Sequence, residues 1–290
     1  MSTPTLQIVE CPRDAVQGLA HFVPTSQKID YLNQLLRVGF HTLDCGSFVS
    51  PKAIPQLRDT AEVLAGLDLR GVRTRLLVIV ANERGARAAV AEEKVHYLGF
   101  PLSLSETFQR RNTNRSISEA LATVATAQDL CRAHGKELVV YLSMGFGNPY
   151  GDPYDAEVAG TFTTRLADLG VRTVALADTV GTATPATIGS MFGALVPRFP
   201  HLTIGAHLHT TPTSALPKVR AAWAAGCRRF DGALGGWGGC PMATDTLTGN
   251  LPTEALVQFL DEAGVDHRLD ATAWGQSLAM VPKVMENPTA

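Results

Sequence analysis

Short apolar, β-branched runs alternate with longer amphipathic stretches from one end of the chain to the other. The short runs begin near Leu6, Phe40, Arg73, Val95, Glu137, Val171, Leu202 and Arg228, and each reads as a buried strand. The intervening stretches carry helix signals. Ser26 precedes Ile29, Leu32 and Leu36 at helical spacing, and Gly39 closes that segment. Ser116 and Glu119 form a capping-box pattern ahead of Leu121, Val124 and Leu130, with Gly135 at the far end. The stretches 155–169 and 214–225 stop at Gly170 and Gly226. Eight strands, each followed by a helix, predict a parallel sheet with right-handed crossovers. The pattern therefore predicts an α/β fold of the TIM (β/α)8 barrel type. One domain is expected over 1–290, with the barrel at about 6–260 and extra C-terminal helices at about 261–290. A doubly wound open sheet is the alternative, but no GxGxxG follows the first strand.

Active sites of such barrels sit at the C-terminal ends of the strands. Arg13 and Asp14 follow the first strand, and Asp44 and Ser47 the second. Glu106 lies beyond the fourth, and Asp178 and Thr179 follow the sixth. His207 and His209 lie in the seventh, and a glycine-rich stretch leading to Cys240 follows the eighth. Scattered surface polars have no reason to choose one end of a barrel, so the pattern predicts an enzyme.

The bulk numbers remove competing readings. A formal charge of −2 with scattered Lys and Arg gives no basis for nucleic-acid or membrane-surface binding. Charged residues and glycine interrupt every apolar run before it reaches membrane-spanning length, and the N-terminus lacks a secretion-signal pattern. Five cysteines without close spacing argue against a disulfide framework and for a reducing compartment, which points to the cytoplasm. Cys131 and Cys227 read as small core residues, while Cys11 and Cys45 fill space beneath the expected site.

His207-Leu208-His209 places two imidazoles on one side of a strand, where they can share one metal ion. Asp14 adds a carboxylate, and Asn250 offers an amide oxygen or, equally, serves as a turn residue. Mixed oxygen and nitrogen donors without thiolate suit Mg²⁺ or Mn²⁺, with Zn²⁺ or Co²⁺ also compatible. Arg13 can neutralise an enolate oxygen or form an ordinary ion pair, and Asp44 can accept a proton or simply end a strand. Cys240 sits on a stretch that can carry a thiol over a site and close it against water. The segment from Gly145 to Gly151 is expected to form a loop over the barrel mouth.

Several of these stretches resemble the 3-hydroxy-3-methylglutaryl-CoA lyase family. They are Ile8-Val9-Glu10-Cys11-Pro12-Arg13-Asp14, Ser47-Phe48-Val49-Ser50-Pro51-Lys52, Ser105-Glu106-Thr107-Phe108 and Asp178-Thr179-Val180-Gly181. The two histidines, Gly238-Gly239-Cys240-Pro241 and Gly249-Asn250-Leu251 continue the same order. The resemblance implies metal-dependent cleavage of a hydroxyacyl-CoA to acetyl-CoA and acetoacetate. It places metal ligands at Asp14, His207, His209 and Asn250, and catalytic residues at Arg13, Asp178 and Cys240. His207 is an alternative proton donor to Cys240, and Lys52, Arg110 and Arg111 become candidates for the phosphates of coenzyme A, although basic rim residues are also ordinarily just solvated. The chain departs from the family pattern at Cys11, usually Gly, at Asp44, usually Glu, and at Thr210, usually Asp. A related 3-hydroxyacyl-CoA is therefore an open alternative substrate. A condensing synthase, a pyruvate-type aldolase and a metal-binding barrel without turnover remain as rival readings. The expected partners are an acyl-CoA and a second copy of the chain in a homodimer, with neither nucleic acid nor membrane.

Overall fold

The computed structural model describes residues 5–239 and 248–286. Its centre is a closed barrel of eight parallel strands: β1 (Gln7–Glu10), β2 (Thr42–Ser47), β3 (Arg75–Ile79), β4 (Val95–Ser103), β5 (Glu137–Ser143), β6 (Thr173–Ala177), β7 (Thr203–His207) and β9 (Arg229–Gly232). β9 pairs with both β7 and β1 and so closes the ring. The strands start within two residues of the positions read from the sequence. Strands covered on both faces need apolar side chains on both, which is why β5 and β6 read as continuous apolar runs.

β8 (His209–Thr210) and β10 (Gly249–Asn250) form a small antiparallel sheet outside the ring, with Asn250 opposite His209. The two histidines therefore do not share one strand. His207 ends β7, Leu208 interrupts it, and His209 opens β8. Leu208 stays buried, and its carbonyl accepts the N–H of Leu251, so the break carries no unpaired backbone at that point.

Most helix ends follow the sequence signals. Ser116 and Glu119 make both hydrogen bonds of the capping box, and the Asp155 side chain caps Val158. Ser26 is a correction, because the helix runs Thr25–Val38 behind Pro24 and Ser26 lies within it. Pro24 carries no side-chain acceptor, so the preset backbone of proline starts this helix instead. The C-terminal helix Ala271–Met285 packs against Thr25–Val38, and the Asp270 N–H donates to the Val38 carbonyl at 2.9 Å. Among the described residues, no helix is long and apolar enough to cross a membrane.

The barrel interior is unevenly filled. Leu77, Ile79, Tyr97, Val139, Tyr141 and Ala175 form an apolar cluster on β3 to β6. The opposite arc carries Asp44 on β2, His207 on β7, and Arg229 and Asp231 on β9.

Candidate active site

Arg13 and Asp14 lie in the short helix Pro12–Gln17, directly after β1. Arg13 is held by carboxylates on two sides. Its Nε and Nη2 donate to Asp44 Oδ2 at 3.0 and 2.6 Å, and its Nη1 donates to Asp14 at 2.8 Å and to Gln17 at 2.9 Å. Burial disfavours the cation, yet Asp44 and Asp14 more than offset it and raise the Arg13 pKa. Asp44 has no exposed surface, and burial pushes its carboxyl up to about 6 against the opposing pull of Arg13. Its oxygens are taken by Arg13, so Asp44 orients the guanidinium rather than facing the cavity as a free proton acceptor.

His207 Nε2 lies 3.6 Å from Asp14 Oδ2, and its Nδ1 lies 3.4 Å from Asp231 Oδ2 on β9. The ring centroids of His207 and His209 are 5.5 Å apart. One donor atom from each of Asp14, His207 and His209 lies within 4.8 Å of the others. Burial works against ionised Asp14, but Arg13 and the two histidines hold its pKa down at about 2. Burial, reinforced by His207, takes His209 down to about 4, so at neutral pH it is a neutral imidazole with a free lone pair. The His209 Nδ1 is buried and has no hydrogen-bond partner among the described residues. A buried orphan nitrogen beside an ionised carboxylate and a second imidazole fits a divalent cation.

Asn250 stands beside this trio. A side chain at Gly238 would place its Cβ 2.6 Å from both Asn250 Nδ2 and the Asp14 carbonyl oxygen. The amide donates to the Trp237 carbonyl at 2.8 Å and hydrogen-bonds to Asp14. Cys240 lies outside the described residues.

The trio and Arg13 form one side of a cavity of about 370 Å³ at the C-terminal end of the barrel. Val49, Ile54, Ile79, Pro101 and Phe108 supply its apolar walls, and Asn112, Ser143 and Thr179 its neutral polar groups. Lys52 immediately precedes cavity residues Ala53 and Ile54, and Arg110 and Arg111 precede Asn112 and Thr113. Arg110 pairs with Glu106 at 2.7 Å, and Arg111 sits over the Tyr150 ring at 4.9 Å. The segment 145–151 does not line the cavity: Gly145 bonds to the Ala177 carbonyl, and Asn148 Oδ1 accepts the N–H groups of Tyr150 and Asp152.

Asp178 is the main departure from the expected site. It is 1% exposed and does not line the cavity. Its Oδ1 accepts the Ala183 N–H at 3.0 Å, and its Oδ2 accepts Lys218 Nζ at 2.7 Å. Lys218, itself buried, also donates to the His209 carbonyl at 2.7 Å. The pair thus ties the end of β6 to the backbone of a metal-ligand candidate. The physical reason is enclosure: a carboxylate this deep needs a cation and an N–H, and it has both.

The sequence reading passed over Asp231, Lys218 and Glu10. Asp231 shares a strand face with Arg229, and two charges alternating inside a barrel strand were the available signal. Lys218 falls on the same helix face as Ala215 and Ala222, which are buried. Glu10, fully buried at the end of β1, accepts the Leu234 N–H at 2.8 Å and the Thr253 hydroxyl at 2.6 Å. It thereby fixes the start of the segment that leads to Cys240. Cys11 does more than fill space, because its thiol clusters with His207 and Asp231. Burial and the neighbouring carboxylates raise its pKa well above the usual thiol range, so it is not a thiolate nucleophile.

Residues 6–281 match the HMGL-like family. The chain belongs to that family. It is 35% identical over 254 residues to a hydroxymethylglutaryl-CoA lyase of Bacillus subtilis, covering 88% of this chain and 84% of that protein. It is 30% identical over 271 residues to an (R)-citramalyl-CoA lyase of Chloroflexus aurantiacus, covering 90% and 85%. An HMG-CoA lyase of Acinetobacter baumannii, solved with coenzyme A and 3-methylmalate, superposes with a TM-score of 0.88 at 32% identity, covering 97% of this chain and 91% of that one. This member of the HMGL-like family is accordingly an enzyme of the carbon–carbon lyase type.

Proposed function

We propose that the chain cleaves 3-hydroxy-3-methylglutaryl-CoA, or a close 3-hydroxyacyl-CoA, into an acyl-CoA and a ketone. The observation that carries this reading is the convergence of Asp14, His207 and His209 beside a carboxylate-clamped Arg13. Asp14, His207 and His209, with Asn250 adjacent, would hold a divalent cation, Mg²⁺ or Mn²⁺ by donor type, which supplies Lewis-acid polarisation of substrate oxygen.

The other contributions belong to the protein. The substrate's C3 hydroxyl gives up its proton to water, the C2–C3 bond breaks to leave C3 as a ketone, and the electron pair passes to C2 as an enolate. The thiolate left when Cys240 protonates C2 takes that proton back from water. Arg13, fixed by Asp44, presents positive charge to the developing oxyanion without reorganising. Asp231 beside Nδ1 of His207 sets the orientation of that ring. Cys240 returns a proton to C2, completing acetyl-CoA. Lys52, Arg110 and Arg111 adjoin cavity residues and are the proposed contacts for the coenzyme A phosphates. The apolar walls receive the C3 substituent. One catalytic unit with a docked C-terminal helix and a reducing, cytoplasmic setting complete the proposal. A homodimer is the proposed assembly.

The test is incubation of purified protein and Mg²⁺ with 3-hydroxy-3-methylglutaryl-CoA and with citramalyl-CoA, separating products by mass. Acetyl-CoA with acetoacetate is the expected result. Acetyl-CoA with pyruvate instead assigns the chain to the citramalyl relatives. No cleavage of either overturns the lyase reading. Cys240→Ser is expected to lower turnover on the order of 10²-fold while leaving metal affinity unchanged.

A further inference from the structure

The N-terminal end of the barrel, opposite the catalytic mouth, holds a second cavity of about 260 Å³. Barrel floors are ordinarily packed for stability. This one is lined by three arginines and two histidines, Arg75, Arg172, Arg229, His41 and His201, with Glu137 as the only lining carboxylate among the described residues. Arg75 is 3.7 Å from Glu137, and its Nη1 donates to the Tyr97 hydroxyl. Arg172 has no ion-pair partner among the described residues. Arg229 is 3% exposed and reaches the cavity from inside the ring. Gly205 makes room for it: a Cβ there would lie 3.0 Å from Arg229 Nη1. Arg75 is offset by Glu137 and Arg229 by Asp231, so the positive charge left over is that of Arg172. Burial, then Arg229 and Arg75, hold His41 down at about 4.

Arg229 is also the outer end of a buried row. Its Nη1 donates to Asp231 Oδ1 at 2.7 Å, and Asp231 Oδ2 lies 3.4 Å from His207 Nδ1. His207 Nε2 in turn lies 3.6 Å from Asp14. Each member touches the next, so charge arriving at one end of the barrel acts on groups at the other.

We propose that this floor cavity binds a small dianion, either a tetrahedral oxyanion or a short dicarboxylate, and that its occupation tightens metal binding at the mouth. A dianion beside Arg229 competes with Asp231 for the guanidinium. Asp231 then interacts more strongly with His207 Nδ1–H, and a better-oriented imidazole is a better ligand. By linkage, metal at the mouth must tighten the dianion to the same degree. The coupling rests on the proposed metal site, but the floor site itself does not.

The experiment starts with metal-free protein. Sulfate and malonate are titrated by calorimetry at constant ionic strength, with chloride as the control. Saturable binding of either dianion is expected. A preference for sulfate identifies an oxyanion site, and a preference for malonate a dicarboxylate site. Arg172→Gln and Arg75→Gln should each weaken binding roughly two- to fivefold, the range for exposed charge pairs. Neither residue belongs to the active site, so basal lyase activity should be unchanged. Binding no tighter than chloride, or unchanged from the parent in both variants, overturns the site. Mn²⁺ affinity is then measured by electron paramagnetic resonance with and without the preferred dianion. Tightening of about fivefold is expected, the lower end of ordinary coupling. Unchanged Mn²⁺ affinity overturns the coupling and leaves a passive anion site. Failure of the lyase reading would appear only in the product assay, because the floor titration needs neither metal nor substrate.

Discussion

The two arcs of the barrel interior obey different rules. On β3 to β6 the middle of the barrel is filled by Leu77, Ile79, Tyr97, Val139, Tyr141 and Ala175, each packed against its neighbours, with Arg75 and Glu137 confined to the floor. On β2, β7 and β9, with the turn after β1, the inward residues form a connected row of charges: Arg229, Asp231, His207, Asp14, Arg13 and Asp44. The apolar arc loses energy in proportion to volume removed. In the charged row, removing one member leaves a neighbour buried without its counter-charge, at a cost of about 3–5 kcal/mol where a pair is broken outright. One arc supports the barrel, and the other sets the electrostatics at its mouth.

Arg13→Met tests the charged arc hardest. Turnover is expected to fall on the order of 10²–10³-fold, with a much smaller change in KM. Near-normal turnover would reduce the whole row to a structural ion network. Leu77→Ala probes the opposite arc and should cost about 2–5 kcal/mol of stability. Its kcat and Mn²⁺ affinity, measured below the lowered Tm, should match the parent, and a hundredfold loss of kcat would erase the distinction between the arcs. Asp231→Asn keeps the shape but removes the charge beside His207. Metal affinity should drop roughly 10- to 100-fold, and Tm should fall as well, because buried Arg229 loses its counter-charge. An unchanged affinity would detach Asp231 from the site.

The last test concerns Glu10, whose carboxyl burial pushes up to about 8 from an ordinary 4.5. Between those values the folded chain retains a proton that the unfolded chain has released. Stability should therefore fall as pH rises from about 4.5 to about 8, and Glu10→Gln should remove that part of the slope. Denaturant titrations across this pH range decide it: an identical slope in the variant would show that Glu10 does not titrate there.

Legibility in the sequence divides along the same line. The barrel was readable because apolar strands and glycine stops are local signals, and β5 announces itself through Val139-Val140-Tyr141-Leu142. Arg13, Asp14 and the histidines were readable because they sit together in short stretches at strand ends. The partners that govern them were not. Asp231, Lys218 and Asp44 act through contacts spanning 24, 40 and 31 residues, and nothing in the spacing says which distant charge meets which. Asp178 shows the opposite error. Its motif is intact, yet the side chain is enclosed with Lys218 away from the cavity. Leu208 explains the divided histidine strand, since one buried apolar residue between two polar ones reads equally as a strand or as a break.

The glycines on either side of 240–247 amount to a neck. A Cβ at Gly238 would press on the Asp14 carbonyl and the Asn250 amide, and one at Gly249 would lie 2.2 Å from the Gly236 carbonyl. Two backbones cross there with no room for a side chain between them, and the crossing is anchored to the same Asp14 and Asn250 that flank the metal-ligand candidates. Any residue larger than glycine at 238 or 249 would therefore push on the backbone and amide groups that flank the metal-ligand candidates.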